Sequence, residues 1–244
     1  MIDIHAHILP GVDDGSPSLT SSLEMARLAV ESGVTAMIAT PHCNLPESDE
    51  PLWADVLTRC EQDLSQTLAR EGIELTLCAG MEIFGTQDTP EKLRDGRLCT
   101  LASSRYPLIE FPFHNYGREA SEILARVLSM GLRPIVAHPE RYRYTQEEPR
   151  LLNLWMDMGC LLQVNRGSLL GRFGAREEAL GHSLIERGFA AFVASDAHTS
   201  VVRTPWMRDV QELLRREYSP RTAQLLLQEH AEKVLRNETI EMDE

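Results

Sequence analysis

The sequence predicts an α/β fold in which strands buried on both faces alternate with amphipathic helices, closing wholly or nearly into a barrel. Three observations carry this. Seven short apolar runs recur along the 244 residues. Helical periodicity fills the gaps between them. A glycine stands at five junctions where a helical stretch gives way to a strand. A barrel of about 250 residues is a normal single unit, so one domain over residues 1–244 is expected. An open doubly wound sheet is the alternative architecture.

The strands are expected at Ile2–His5, Thr35–Thr40, Ile73–Ala79, Pro107–Phe111, Pro134–His138, Leu161–Asn165 and Ala190–Ser195. Their cores (AMIA, LTLC, LIEF, PIVA, LLQV, AFVA) are nearly unbroken apolar runs, the signature of parallel strands covered by helices. Leu19, Leu23, Ala26 and Val30 repeat at helical spacing, as do Ala120, Ile123, Leu124, Val127 and Leu128. Gly33, Gly72, Gly131, Gly159 and Gly188 close helical stretches, where a left-handed residue without a Cβ ends a helix cleanly. Ser219-Pro220 pairs an N-cap with a first-turn proline and opens a last helix reaching about Arg236. The polar tail Asn237–Glu244 is expected to fray.

Composition narrows the function. Thirty-seven acidic against 24 basic side chains leave a net charge of −13, which argues against nucleic acid as a partner. No apolar run reaches the roughly 18 residues of a membrane span, and no signal peptide precedes the first strand. Cleavage of a leader would remove His5. The five cysteines, at 43, 60, 78, 99 and 160, form no CxxC pair and fit a reducing cytoplasm. Glycine-rich phosphate loops of the GxGxxG or GxxxxGK[ST] type are absent.

The chemistry gathers where strands end. His5 and His7 close the first strand, His42 follows the second, and Glu82 follows the third. Glu110 lies inside the fourth, His138 ends the fifth, and Asp196 and His198 follow the seventh. The sixth offers Asn165-Arg166. In a β/α barrel these ends converge on one rim. A single histidine after a strand is ordinarily a loop residue, and Asp13-Asp14-Gly15 by itself reads as a turn. Glu110 is different: a carboxylate within LIEF needs a cation to offset several kcal/mol of burial. Five of the eight histidines belong to this set. Imidazole mixed with carboxylate and no thiolate suits Mn, Fe or Zn.

The segments MIDIHAHILPGVDDGS, ATPHC, AGMEI, LIEF, AHPERY and SDAH resemble the PHP (polymerase and histidinol phosphatase) family. Within it they are most similar to the bacterial CpsB-type protein-tyrosine phosphatases of capsule and exopolysaccharide loci. The resemblance runs from Met1 to about Arg203, and ILPGVDDGS is its most specific part. It implies a distorted seven-stranded (β/α)7, TIM-like barrel with three divalent ions, manganese first among them. Carried over by position, His5, His7, Glu82 and Asp196 would hold one ion. Glu82 would bridge to a second, completed by Glu110 and His138, and Asp14, His42 and His198 would hold the third. Related PHP enzymes often carry histidine where Asp14 stands, so the acid points to the tyrosine phosphatase branch. Arg141 and Arg203 match phosphate-binding arginines, although SVVRTP departs from the usual spacer. Arg118, Arg143 and Arg166 are further candidates for the rim. The resemblance also implies a phosphotyrosine protein as partner, the tail of a polysaccharide-export tyrosine kinase, and leaves homo-oligomerisation open.

Three alternatives stand beside this one. A small-molecule phosphatase such as histidinol phosphatase would use the same ligands. Cys99 and Arg105 fit the C-x5-R spacing of cysteine phosphatases, but TLASS holds no glycine and leads into a strand rather than a helix. A non-catalytic, metal-bearing scaffold of an export complex would need the ions but not the arginines.

Overall fold

Two of the seven expected strands are followed, past Pro41 and past Gly80, by a second short strand that was not expected. The computed structural model describes residues 1–45 and 53–242. Among them the strands are β1 (Ile2–Ala6), β2 (Ala36–Ala39), β3 (His42–Cys43), β4 (Thr76–Ala79), β5 (Glu82–Phe84), β6 (Leu108–Glu110), β7 (Ile135–Ala137), β8 (Leu161–Asn165) and β9 (Ala190–Ala194). Each expected strand is found, and β3 and β5 are additional to the seven. Proline has no N–H to give the ladder, so the second strand stops at Ala39 and pairing resumes at His42, past Pro41. Between β4 and β5, a Cβ on Gly80 would come within 2.8 Å of the Ile38 side chain, so the chain crosses there only as glycine.

All pairings are parallel. The strands form a three-stranded sheet, β1-β2-β4, and a six-stranded sheet, β3-β5-β6-β7-β8-β9. No continuous ladder joins the two sheets among the described residues. The first and last strands meet at an isolated bridge, Ala6 to Ala197, flanked by His7 N–H to the Ala197 carbonyl at 2.8 Å and Asp196 N–H to the His5 carbonyl at 2.9 Å. These bonds bring the histidines of β1 beside the residues after β9.

Alternation sorts each strand into two faces. Ile109 and Phe111 pack with the helices in one apolar cluster, which also takes Met37, Val136, Leu162 and Val193. Leu108 joins Ile38, Ile135, Leu161 and Phe192 in a second. Glu110, two residues on from Leu108, falls on that second face at the end of the strand.

The helix after β1, Leu19–Glu31, is rotated from expectation. It buries Ser22, Met25, Ala26 and Ala29, while Leu19 is exposed. Polar contacts decide the rotation, since the Ser22 hydroxyl donates to the Ile8 carbonyl at 2.7 Å. Gly117–Ser129 buries Ala120, Ile123, Leu124 and Val127 as its spacing predicts. All five junction glycines take positive φ, from 67° to 102°. The last helix begins at Pro220, capped by Ser219, whose hydroxyl accepts from the Thr222 amide at 2.9 Å. It passes through a π turn at Leu225–Glu229 and continues as His230–Leu235.

The tail is not frayed where it is described. Ile240 is 1% exposed within the second cluster, and the Tyr106 hydroxyl donates to the Glu238 carbonyl at 2.6 Å. Arg105 holds Asn237 through two bonds of 3.1 Å. One isoleucine with a cavity to fill outweighs the polar character of its neighbours. Asp243 and Glu244 lie outside the described residues. No described helix is long and apolar enough to cross a membrane.

Candidate metal centre

Parallel strands that end at one level deliver their last residues to one place. Glu82, which opens β5, occupies the middle. Its Oε2 lies 3.2 Å from Nε2 of both His5 and His7 and 3.0 Å from His42 Nδ1. Its Oε1 meets His138 Nε2 at 2.9 Å. Asp196 Oδ1 stands 3.5 Å from Nε2 of His5 and of His7. Glu110 reaches His138 at 3.5 Å and His42 at 3.8 Å. On the outer side, Asp14 Oδ1 is 3.5 Å from Nε2 of His42 and of His198.

The structure thus brings all nine ligand-type residues together. Their atoms form three groups, each within 4.8 Å: His5, His7, Glu82 and Asp196; His42, Glu82 and Glu110; and His7, Asp14, His42 and His198. The second group contains His42 where the resemblance puts His138; both imidazoles face the same two carboxylates.

The donor set fits divalent cations. Glu82 Oε2, Asp196 Oδ1 and His198 Nε2 are buried without a well-formed hydrogen bond. Unpaired buried polar atoms cost several kcal/mol, and cations in the first and third of the three groups would satisfy them. Burial and the charge of Glu82 push the Glu110 carboxyl up to about 8. Burial pulls His138 down to about 4 and His198 to about 4. For Glu82 and Asp196, burial opposes ionisation, but the positive field of His5 and its neighbours outweighs it and holds both below the ordinary carboxylate range. A neutral imidazole and an ionised carboxylate are the forms that ligate; His138, His198, Glu82 and Asp196 lean that way, whereas Glu110, and His5, His7 and His42, whose carboxylate neighbours raise them against burial, would give up protons to an ion. Backbone strain collects here as well: His138, Asp196 and Arg203 take left-handed φ of 32°, 50° and 38°.

The two expected arginines arrive on one ligand. Asp196 Oδ2 accepts from Arg203 at 2.5 Å, from Arg141 at 3.2 Å and from Asn165 Nδ2 at 2.6 Å. The Arg141 guanidinium also lies over Phe113 and Phe173, 5.0 and 4.5 Å from the ring centres. The other three arginines do not join them. Arg166 is buried and pinned to Asp209 at 2.8 Å, while Arg118 and Arg143 are exposed and pair with Glu122 and Glu147 one turn on. Their spacing favours these local partners over a reach to the rim.

Beside the cluster lies a cavity of about 530 Å³ walled by Val12, Leu45, Trp53, Phe84 and Phe113, with Asp14, His42 and Glu110 at its inner edge. A groove of about 590 Å³ between Arg143–Glu147 and Arg176–Ser183 has no comparable set of converging ligands.

Cys99 and Arg105 are elsewhere. Both precede β6 in the chain, and neither is among the clustered ligand residues. Burial, then the charge of Asp55, push the Cys99 thiol up, away from a thiolate, and Asn237 occupies the Arg105 guanidinium.

Sequence reasoning missed Gln163, set Asn165 at the rim without a role, and read Asp13 only as part of a turn. Gln163 Oε1 accepts from His5 Nδ1 at 3.0 Å and from the His138 amide at 3.3 Å. Asn165 orients Asp196, and Asp13 meets His7 Nδ1 at 2.7 Å. Gln163 and Asn165 carried a usable signal, because alternate polar residues in the buried run LLQVN face one way. Asp13 carried none beyond its turn.

Known proteins resemble this chain over nearly its whole length. The family described as capsular polysaccharide synthesis, CpsB/CapC, matches residues 1–236. The tyrosine-protein phosphatase YwqE of Bacillus subtilis is 39% identical over 241 residues, covering 98% of this chain and 93% of its own. The tyrosine-protein phosphatase CpsB of Streptococcus pneumoniae is 30% identical over 248 residues, with 98% and 100% covered. A crystal structure reported for YwqE from Bacillus subtilis and CpsB from Streptococcus pneumoniae, described as metal-dependent tyrosine phosphatases, superposes with a TM-score of 0.93. It is 37% identical and covers 100% of this chain and 97% of that one. The phosphotriesterase homology protein of Escherichia coli shares the fold alone, with a TM-score of 0.59 at 14% identity over 96% of this chain and 98% of its own.

Proposed function

The chain belongs to the CpsB/CapC family of capsular polysaccharide synthesis proteins, and from that premise we propose that it is a metal-dependent protein-tyrosine phosphatase. One juxtaposition supports this most: a histidine–carboxylate cluster flanked on one side by Arg141 and Arg203 and on the other by an aromatic-walled cavity. A phosphate monoester of a phenol needs cationic ligands, guanidinium groups and a slot for a ring.

In this reading His5, His7, Glu82 and Asp196 hold one ion, Glu82, Glu110 and His138 a second, and Asp14, His42 and His198 a third, with manganese preferred. When bound, such ions lower the pKa of water and neutralise phosphoryl charge. Arg141 and Arg203 hold the equatorial phosphoryl oxygens through charge-assisted bonds. Trp53, Phe84 and Phe113 seat the phenol ring and exclude water beside it. Tyrosinate, with a pKa of about 10, leaves more readily than a serine alkoxide. No covalent enzyme intermediate is required. The two sheets are read as arcs of a distorted barrel with seven strand positions. A phosphorylated tail of a polysaccharide-export tyrosine kinase is the proposed substrate, met in the cytoplasm; the absence of disulfides among the five cysteines supports that compartment.

The test is the ratio of kcat/KM values for a phosphotyrosine peptide, a phosphoserine peptide and histidinol phosphate. The phosphotyrosine peptide is expected to be fastest. Faster turnover of histidinol phosphate would move the chain to the small-molecule branch, and no turnover of any of them would leave a metal-bearing scaffold.

Arg203→Ala is expected to lower kcat/KM at least tenfold, the equivalent of roughly 1.5–3 kcal/mol for a lost charge-assisted contact. Metal content should not change, because Arg141 and Asn165 still hold Asp196 Oδ2. Unchanged kinetics would remove Arg203 from the phosphate site.

A further inference from the structure

His7 presents a problem that its neighbours resolve. Its ring belongs to two of the three ligand groups, yet one imidazole nitrogen serves one ion. The other nitrogen is taken. Asp13 Oδ2 lies 2.7 Å from His7 Nδ1, and its side chain is 6% exposed. A carboxylate only accepts, so Nδ1 carries a proton, and Nε2, the nitrogen left for an ion, faces Glu82 and Asp196. The same Oδ2 also accepts the His42 amide at 2.9 Å, and Oδ1 accepts the Gly15 amide at 2.9 Å. The loop is pressed onto His7 from the other side: the Ser16 amide donates to the His7 carbonyl at 3.0 Å, and a Cβ on Gly15 would stand 2.3 Å from His7 Cβ.

We propose that Asp13 is a positioning residue: it fixes His7 as an Nε2 ligand of the His5-containing site. By gripping the His42 backbone with the same oxygen, it also sets the spacing between that site and the one containing His42 and His198. This rests on the metal-binding reading above. It divides the two adjacent acids of the loop, Asp14 facing an ion and Asp13 facing the imidazole behind it.

A turn role alone makes a different prediction, because asparagine supports the same turn as aspartate. The Asp13→Asn side chain would keep one oxygen, lose the charge, and set an NH2 group against either the Gly15 amide or the His7–His42 pair. Titration of metal-free protein with Mn²⁺, followed by calorimetry and elemental analysis after gel filtration, separates the roles. Asp13→Asn is expected to keep the circular dichroism and thermal midpoint of the metal-free wild type, yet bind Mn²⁺ about 10–100-fold more weakly at one class of sites. Asp13→Ala should lose the same affinity and unfold at lower temperature. If the alanine variant does not fold, the asparagine variant still decides. A wild-type isotherm from Asp13→Asn, beside a wild-type chain that binds Mn²⁺, overturns the positioning role alone. A wild-type chain that takes up no Mn²⁺ overturns the metal reading and the positioning role with it.

Discussion

Replacing His138 by alanine should reduce phosphotyrosine turnover by on the order of a hundredfold or more, whereas Cys99→Ser should leave it nearly unchanged. His138 Nε2 faces Glu82 at 2.9 Å and Glu110 at 3.5 Å, so its loss opens the side of the cluster where those carboxylates converge. Cys99 is the thiol that fits a cysteine-phosphatase spacing, but its surroundings oppose that role. Burial and Asp55 raise its pKa, where a nucleophile needs it lowered, and Asn237 holds the arginine that would cradle phosphate. Each variant leaves the other chemistry intact. Both should retain the wild-type circular dichroism spectrum. An inactive Cys99→Ser protein with full metal content, beside an active His138→Ala protein, would falsify the metal mechanism.

Chelation should abolish activity altogether, and Mn²⁺ should restore it better than Mg²⁺, Ca²⁺ or Zn²⁺. The donors are imidazole nitrogens and carboxylate oxygens without a thiolate. Magnesium and calcium prefer all-oxygen shells, while zinc, though it binds such donors more tightly than manganese, ordinarily settles into four-coordinate sites. Metal removal should also lower the thermal midpoint, since ions that bind only the folded chain stabilise it by mass action. Elemental analysis must accompany the assay. Full activity in protein verified to be metal-free would sink the proposal, and best recovery with another ion would correct its choice of metal.

The legible part of the site consisted of residue types at predictable places. Glu110 stood out because a carboxylate inside LIEF requires a partner, whatever the fold around it. His5 and His7 could be paired because alternate strand residues face one way. The arginines were legible mainly through the resemblance: of five candidates, the structure brings Arg141 and Arg203 to Asp196 and sends Arg118, Arg143 and Arg166 to partners near or behind them. The rotation of Leu19–Glu31 was illegible for a related reason. Apolar periodicity favoured Leu19 and Leu23, and the hydrogen bond from Ser22 to Ile8, fourteen residues away, carried no periodic signal.

By itself the sequence determined the order of strands and helices, the glycine stops between them and the kinds of ligand at the strand ends. Those features follow from short-range physics: side-chain period, capping and the cost of burying charge. Tertiary structure alone decided which atoms meet. Second short strands follow Pro41 and Gly80, and the six-stranded sheet then set His42 opposite Glu82 in register. The wall of the cavity came from Val12, Leu45, Trp53, Phe84 and Phe113, residues with no common pattern, brought together from separate loops, one strand and the start of a helix. The tail was held through Ile240 and Asn237 by residues more than a hundred positions earlier. Asp13 turned its carboxylate from the turn it caps to the imidazole that it orients. Such contacts depend on register and side-chain direction between distant segments, and chain neighbours do not encode them.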